Sequence, residues 1–398
     1  MQDTQIENAA RADGSPMLSV VMPVLNEEEA LPACIEKIRK TLDAAGIDGE
    51  ILVCDNGSTD RSVEICESMG VRVVHQPLRG YGNAYIKGFS EARGRYLIMG
   101  DADDTYDFAL IPEFLKRLES GKFDFVTGSR YAGGGDAHIT FLHRYVGNPM
   151  LTLILNVFFG TRYTDVYCGY RAFTKEAYAR IAPVSPGMEF NLELAINAHL
   201  AELRIDEIPI TLGPRLGESK LNTFKDGWRS LRMMLIYCPN RVFMLPGVLL
   251  FVSGMILHLL VLTRLLNYEG RALSTITGTF ALVLSVLGFQ ILSLGLHAKT
   301  YSWSRRFDKD NSTLSRFYGL FNLEKGLLLG IVVALSGVGI LGYELLRWIQ
   351  SNLAPLHHPE RVPFAATLFI IGTGMVFSSL FISAMAMTRH ENLREKSK

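Results

Sequence analysis

YLIMGDADD, residues 96–104, decides how this chain is to be read. An apolar run of strand length ends at Gly100 and gives way at once to Asp101, Asp103 and Asp104. Short apolar runs bounded by turn residues fit strands that are covered on both faces. The same signal recurs at residues 18–23 (LSVVMP), 50–54 (EILVC), 71–75 (VRVVH) and 123–128 (FDFVTG). Between these runs the spacing turns helical. Residues 28–44 place Leu31, Ile35, Ile38 and Leu42 on one face, and helices are also expected over 61–69, 81–92 and 109–118. Strand–helix alternation of this kind predicts an α/β domain with a mostly parallel sheet covered on both faces. Ligands of such sheets sit beyond the carboxyl ends of the strands, so the residues just after each strand are the ones to inspect.

The rest of the chain follows a different rule. At 398 residues it is long enough for one sizeable soluble domain and something more. From about residue 241 onward come four apolar stretches, 243–266, 275–296, 326–349 and 363–387. Each reaches the ~20 residues that cross a bilayer. The loop after the second stretch carries Lys299, Arg305, Arg306, Lys309, Arg316 and Lys325, and the tail carries Arg389, Arg394, Lys396 and Lys398. The first and third loops hold few basic residues. The positive-inside bias therefore places that loop, the tail and the N-terminal domain in the cytoplasm. Two further segments, 141–159 and 223–241, mix apolar and basic residues as helices lying in a membrane interface do. Ordinary core packing is the alternative for the first.

The expected organisation is a polar disordered tail at 1–17, an α/β domain at 18–222, and an interface helix or linker at 223–242. A four-helix transmembrane domain at 243–388 and a cytoplasmic tail at 389–398 complete it. The N-terminal residues lack the apolar core of a cleavable signal peptide. The formal net charge is zero, which gives no general electrostatic reason for nucleic-acid binding. The five cysteines have no CxxC pair and read as small buried hydrophobes in a reducing compartment.

Three strand ends carry polar residues: Pro23-Val-Leu-Asn26-Glu27, Asp55-Asn56-Gly57-Ser58-Thr59-Asp60, and Asp101-Ala-Asp103-Asp104. An Asp-x-Asp at a strand end can aim two carboxylates at one spot. A hard cation such as Mg²⁺ or Mn²⁺ takes such oxygen ligands and keeps positions for substrate phosphates. Solvated turns also collect acidic residues, so the motif gains weight from its two companions in the same domain. Arg130 follows the last strand run, Arg144 lies in the first interface segment, and Arg215 and Lys220 lie in PRLGESK. Singly each reads as a surface charge. Together they could hold an anionic donor and an anionic lipid phosphate, with arginine suited to bidentate contact.

The motifs SVVMPVLNEEEALP, VCDNGSTDRSVEI, GYGNAYIKGFSEARG, MGDADDTYDF, TGSRYAGGG, TDVYCGYRAF and EIPITLGPRLGESKLN run in order through residues 18–222. This set resembles glycosyltransferase family 2, most closely the dolichol-phosphate mannose synthase and polyprenyl-phosphate glycosyltransferase group. The resemblance implies a Rossmann-like GT-A fold and an inverting, metal-dependent transfer of a hexose from a UDP- or GDP-sugar to a polyprenyl phosphate. It implies that Pro23, Asn26, Glu27 and Asp55 contact the nucleotide. Asp101 and Asp103 would serve ribose, diphosphate and a Mg²⁺ or Mn²⁺ ion. Arg130, Arg144, Arg215 and Lys220 would hold donor diphosphate or acceptor phosphate. Asp165 and Arg171 would shape the cleft, and Glu193 is a further candidate. One departure stands out: many members have Gln two positions after the second Asp, where this chain has Thr105. That leaves Asp104, Thr105 or water as the third metal ligand. The Gln-x-x-Arg-Trp motif of processive members is absent.

The implied partners are a nucleotide-sugar, a polyprenyl phosphate and the bilayer, with no nucleic acid and with a homo-oligomer left open. The rival readings are a membrane-tethered family 2 transferase with another acceptor and a non-catalytic membrane scaffold. His75, His138 and His143 read as surface or structural residues.

Overall fold

The computed structural model describes residues 15–132, 147–214, 223–265, 267–268, 271–272, 275–304 and 323–395. The chain divides into two compact units, Met1–Met233 and Met234–Lys398.

The first unit opens with β1 (Leu18–Val24), α1 (Leu31–Ala45), β2 (Gly49–Asp55), α2 (Ser62–Ser68), β3 (Arg72–His75), α3 (Tyr81–Glu91) and β4 (Tyr96–Met99). The helix α1 forms where Leu31, Cys34, Ile35, Ile38 and Leu42 make a buried stripe. It begins with Pro32 in its first turn and stops at Gly46, whose φ of 62° is left-handed. The chain continues through α4 (Ile111–Glu119), β5 (Phe125–Ser129), α5 (Asn148–Phe159), β6 (Arg171–Thr174), α6 (Lys175–Ile181), α7 (Phe190–Leu200), β7 (Ile205–Pro209) and α8 (Thr223–Tyr237).

The seven strands form one sheet in the order β3-β2-β1-β4-β6-β5-β7. All neighbours are parallel except at β6, which runs antiparallel to both β4 and β5. Alternate residues of β1 feed two cores: Val20 and Met22 pack with Ile35, Ile38, Phe108 and Phe114, while Val21 packs with Leu52, Tyr85, Phe89 and Phe173. The sheet is thus covered on both faces, and the mostly parallel α/β GT-A-type architecture expected from the sequence is the one observed. The register sets Val24 opposite Asp55 and Val21 opposite Met99, so the first, second and fourth strands end at one edge.

The second unit contains α9 (Leu245–Leu262), the two-residue strands β8 (Asn267–Tyr268) and β9 (Arg271–Ala272), then α10 (Thr275–Ser304), α11 (Leu323–Gln350) and α12 (Arg361–Glu395). A π-turn at Asn240–Met244 leads into α9. Among the described residues, four stretches are long and apolar enough to span a bilayer: Asn240–Leu262, Thr275–Thr300, Leu323–Gln350 and Arg361–Met385. Each overlaps one of the expected spans. Small residues let these helices touch backbone to backbone, as membrane bundles require. A Cβ on Gly288 would lie 2.2 Å from the Phe251 nitrogen, and one on Gly372 would lie 2.3 Å from the Ala334 nitrogen. Side-chain hydrogen bonds add to this, with His258 Nε2 2.9 Å from Thr367 Oγ1 and Ser293 Oγ 2.6 Å from Ser378 Oγ.

Candidate active site

The loops after β1 and β2 are stitched to each other. Asn26, at a φ of 54°, accepts from the Thr59 nitrogen at 2.7 Å, and its own nitrogen donates to Ser58 Oγ at 3.1 Å. The Glu27 nitrogen donates to Ser62 Oγ at 2.9 Å, and the Glu28 nitrogen donates to Asp60 Oδ2 at 3.1 Å. Pro23 lies in β1 opposite Cys54. Asp55, buried at the end of β2, accepts from the nitrogens of Ser58 at 2.9 Å and Gly57 at 3.3 Å and meets His75 Nδ1 at 3.2 Å. Burial opposes ionisation of Asp55, but the hydrogen bonds from Ser58, His75 and Gly57 outweigh it and hold the carboxyl below the usual range. The four predicted nucleotide contacts therefore share one rigid rim.

The acidic loop after β4 forms the next part of that edge. Asp101 Oδ1 accepts from the phenols of Tyr81 at 2.9 Å and Tyr85 at 3.3 Å. Asp103 is buried, and its Oδ1 accepts from Thr105 Oγ1 at 2.7 Å and the Thr105 nitrogen at 3.2 Å. Asp104 turns elsewhere: at a φ of 62° it gives both oxygens to Lys37 Nζ, at 2.7 and 2.8 Å. Of the two residues named for a third metal contact, Thr105 thus braces Asp103 and Asp104 is ion-paired. Burial first, and the charge of Asp101 with it, push the phenols of Tyr81, Tyr85 and Tyr106 well above the ordinary tyrosine range. All three stay protonated at neutral pH, Tyr81 and Tyr85 as donors to Asp101 and Tyr106 accepting from the Gly169 nitrogen.

Arg130, just past β5, donates to Asp165 through Nε at 2.5 Å and Nη2 at 2.8 Å, a bidentate pair whose carboxylate is fully buried. Burial alone would depress the guanidinium, but Asp165 holds it well above its ordinary value. Arg171 is different in kind. It is 1% exposed and donates to the carbonyls of Cys168 at 2.8 Å, Asn191 at 2.6 Å and Val166 at 2.7 Å. It pins the segment after Asp165 to the start of α7, and burial pulls its pKa down. Glu193 is also structural in its contacts, accepting from the nitrogens of Val184 and of Ser185, the latter at 2.7 Å. The segment near Gly213 returns beside the acidic loop, its nitrogen donating to the Thr105 carbonyl at 2.8 Å.

Arg144, Arg215 and Lys220 lie outside the described residues, as does 141–146 of the first interface segment. Sequence reasoning missed Tyr81 and Tyr85, and it named Asp165 for the cleft without seeing that it pairs with Arg130. The tyrosines had a signal: four residues apart at the start of a helix, they share a face. All five cysteines are buried thiols.

Comparison with known proteins identifies the family. Residues 19–182 match the model of glycosyl transferase family 2, and residues 296–386 match the glycosyltransferase family 2 C-terminal transmembrane region. A low-salt glycan biosynthesis hexosyltransferase of Haloferax volcanii is 38% identical over 378 residues, which is 95% of this chain and 91% of that one. A dolichyl-phosphate hexose transferase of the same organism is 31% identical over 210 residues, 53% of this chain and 89% of its own length. Among solved structures, glucosyl-3-phosphoglycerate synthase from Mycobacterium tuberculosis aligns with a TM-score of 0.45 at 24% identity, covering 58% of this chain and 82% of that one.

By class, then, this is a sugar-transferring enzyme built into a membrane. The chain belongs to glycosyl transferase family 2, and it is an integral membrane protein with four spans and an N-terminal catalytic domain.

Proposed function

We propose that the protein transfers a hexose from a UDP- or GDP-sugar to a polyprenyl or dolichyl phosphate, with inversion, at the cytoplasmic face of its membrane. The observation that carries the proposal is the edge itself. Asn26, Asp101, Asp103 and Arg130 follow strands of one sheet and Asp55 ends another of its strands, in a chain that also carries four spans. The names of the relatives, a hexosyltransferase and a dolichyl-phosphate hexose transferase, support the same reaction class. The apolar outer face of α5, with Met150, Leu153 and Val157 exposed, suits a bilayer surface where a lipid acceptor would arrive.

In this reading the rim from Pro23 to Glu27 with Asp55 receives the nucleotide. Asp101 and Asp103 would hold Mg²⁺ or Mn²⁺. Among the described residues no cluster of three or more His, Cys, Asp or Glu side chains could hold a metal. A two-carboxylate site fits a hard cation that completes its shell with substrate phosphates and water. When bound, the cation would offset charge on the departing diphosphate. No dedicated base is required, because a phosphate monoester with a second pKa near ~6 is already a nucleophilic dianion at neutral pH. The protein has to align that oxygen with the anomeric carbon and screen two anions from each other. Arg130, fixed by Asp165, supplies direction more than net charge. The remaining screening falls to Arg144, Arg215 and Lys220.

The test uses purified full-length protein in detergent with Mn²⁺ or Mg²⁺, a short polyprenyl phosphate and a panel of UDP- and GDP-sugars. Nucleotide release and organic-extractable sugar are followed together. Lipid-dependent turnover with one donor, lost by more than ~1000-fold in Asp103→Ala through removal of transition-state charge stabilisation, is the expected result. Turnover on a water-soluble acceptor alone, or near-normal turnover in Asp103→Ala, would overturn it.

A further inference from the structure

Asp101 sits at the end of β4, but the groups that set its orientation come from α3. Tyr81 and Tyr85, one turn apart on that helix, both donate to the same oxygen, Asp101 Oδ1. Behind Tyr81 stands Asn191 of α7, 4% exposed, whose Nδ2 donates to the Tyr81 oxygen at 3.4 Å. The donor sense is consistent along the row: amide to phenol, phenol to carboxylate. Asn191 is itself anchored, since its carbonyl accepts from Arg171. Its own Oδ1 is buried without a hydrogen-bond partner among the described residues.

The start of α3 is fixed as tightly as the phenols. A Cβ on Gly82 would lie 2.0 Å from the Ser185 carbonyl oxygen, and one on Gly80, whose φ is 142°, would lie 2.2 Å from that of Pro186. The Asn83 nitrogen donates to the Pro186 carbonyl at 3.2 Å. The loop that α3 leans on is held by Glu193 through the nitrogens of Val184 and Ser185. The Tyr85 ring stacks on Phe190 with centroids 5.6 Å apart. Gly169 closes the group from the other side: a Cβ there would meet the phenol oxygens of Tyr106 at 2.9 Å and Tyr81 at 3.0 Å.

We propose that Tyr81 and Tyr85 are positioning residues for Asp101, a phenol clamp that fixes one carboxylate oxygen in place so that the side chain is preset for its ligand, with Asn191 orienting the Tyr81 hydroxyl. This rests on the assignment of Asp101 to the donor and metal site. Fixing a ligand residue from outside the metal's own shell governs affinity and rate more than folding, and loss of such a partner typically costs about 10- to 100-fold. Phenylalanine at either position keeps the ring packing and deletes only the donor.

The experiment compares Tyr81→Phe, Tyr85→Phe, the double variant, Asp101→Asn, and Tyr81→Phe combined with Asp101→Asn, all in full-length protein. Three quantities are read: Mn²⁺ affinity by electron paramagnetic resonance in the presence of UDP or GDP, kcat/KM, and Tm. Tyr81→Phe is expected to weaken Mn²⁺ binding and kcat/KM about 10-fold, and the double variant about 100-fold, with Tm nearly unchanged. On the Asp101→Asn background, Tyr81→Phe should add nothing. An equal loss on both backgrounds, or a fall in Tm with unchanged Mn²⁺ affinity, would overturn the inference. If Asp101→Asn itself leaves binding and turnover intact, the assignment of the site fails instead, so the two failures are told apart.

Discussion

In the α/β unit the largest fully buried side chains are Arg171, Tyr85, Tyr170 and a group of phenylalanines; in the bundle the closest approaches to a neighbouring backbone are made by Gly254, Gly288, Gly330, Gly337 and Gly372. The difference follows from the solvent each unit faces. Water rewards removal of apolar area, so the soluble unit gathers large rings between its sheet and helices. Lipid offers no such reward, because Leu328, Leu335 and Phe377 are as well solvated outside the bundle as inside it. Close backbone contact and scattered hydrogen bonds then carry the association. One chain uses bulk in one unit and the absence of bulk in the other.

The comparison can be broken most directly in the soluble core. Phe173 is fully buried and stacks between Phe125 and Tyr178. Phe173→Ala should cost about 3–5 kcal/mol, read as an early loss of protection in the strands by hydrogen exchange, with the bundle peptides unaffected. The mirror change belongs in the bundle. Gly288→Leu forces a side chain into the Phe251 backbone and should cost about 1–3 kcal/mol, seen as loss of a monodisperse species in detergent. If Gly288→Leu were tolerated and a lipid-facing leucine were not, the contrast would be wrong.

A smaller effect separates the units by pH. Hydrogen bonds from Arg204 to Asp124, from Ser62 to Asp60 and from Ser58 to Asp55 hold these carboxyls below their ordinary range against burial. Their stabilisation is fully present above the unfolded carboxylate pKa of ~3.9 and is lost as pH falls through the lower folded values. Acid titration below about pH 4 should therefore lower the Tm of the soluble unit, while far-ultraviolet circular dichroism still reports intact bundle helices. The smallest effect is expected for Leu335→Ala, 63% exposed on the lipid side, which should stay within about 0.5 kcal/mol of the parent.

Much of this division was legible in the sequence, because it is a matter of period and length. Runs such as YLIMG and EILVC mark central strands, and the four spans exceed any core helix in length. Two strands were not seen. β6 is only RAFT, four residues led by an arginine that is itself buried, and β7 is IDEIP, an edge strand with one buried residue that ends in proline. Neither has the apolar run that reports a covered strand. The helix α1 begins at Leu31, three residues later than its periodicity indicated, because the chain from Asn26 to Glu28 spends its backbone nitrogens on the β2 loop. The acidic residues and Arg130 were legible as strand-end positions. Their partners were not: Arg130 meets Asp165 and Tyr81 meets Asp101 across 35 and 20 residues of chain. Such pairs depend on how helices settle on the sheet, which residue spacing does not report.

The five native thiols leave one practical consequence. All are buried, and burial pushes Cys34, Cys54 and Cys168 up to about 12 and Cys66 up to about 11. At neutral pH they are poor nucleophiles out of reach of solution reagents. A cysteine introduced at exposed Ser120 or at exposed Asn352 would then be the lone reporter in an otherwise silent protein. In sealed vesicles an impermeant maleimide would report which of the two positions faces outward, and the sidedness of the enzyme could be read as a gel band.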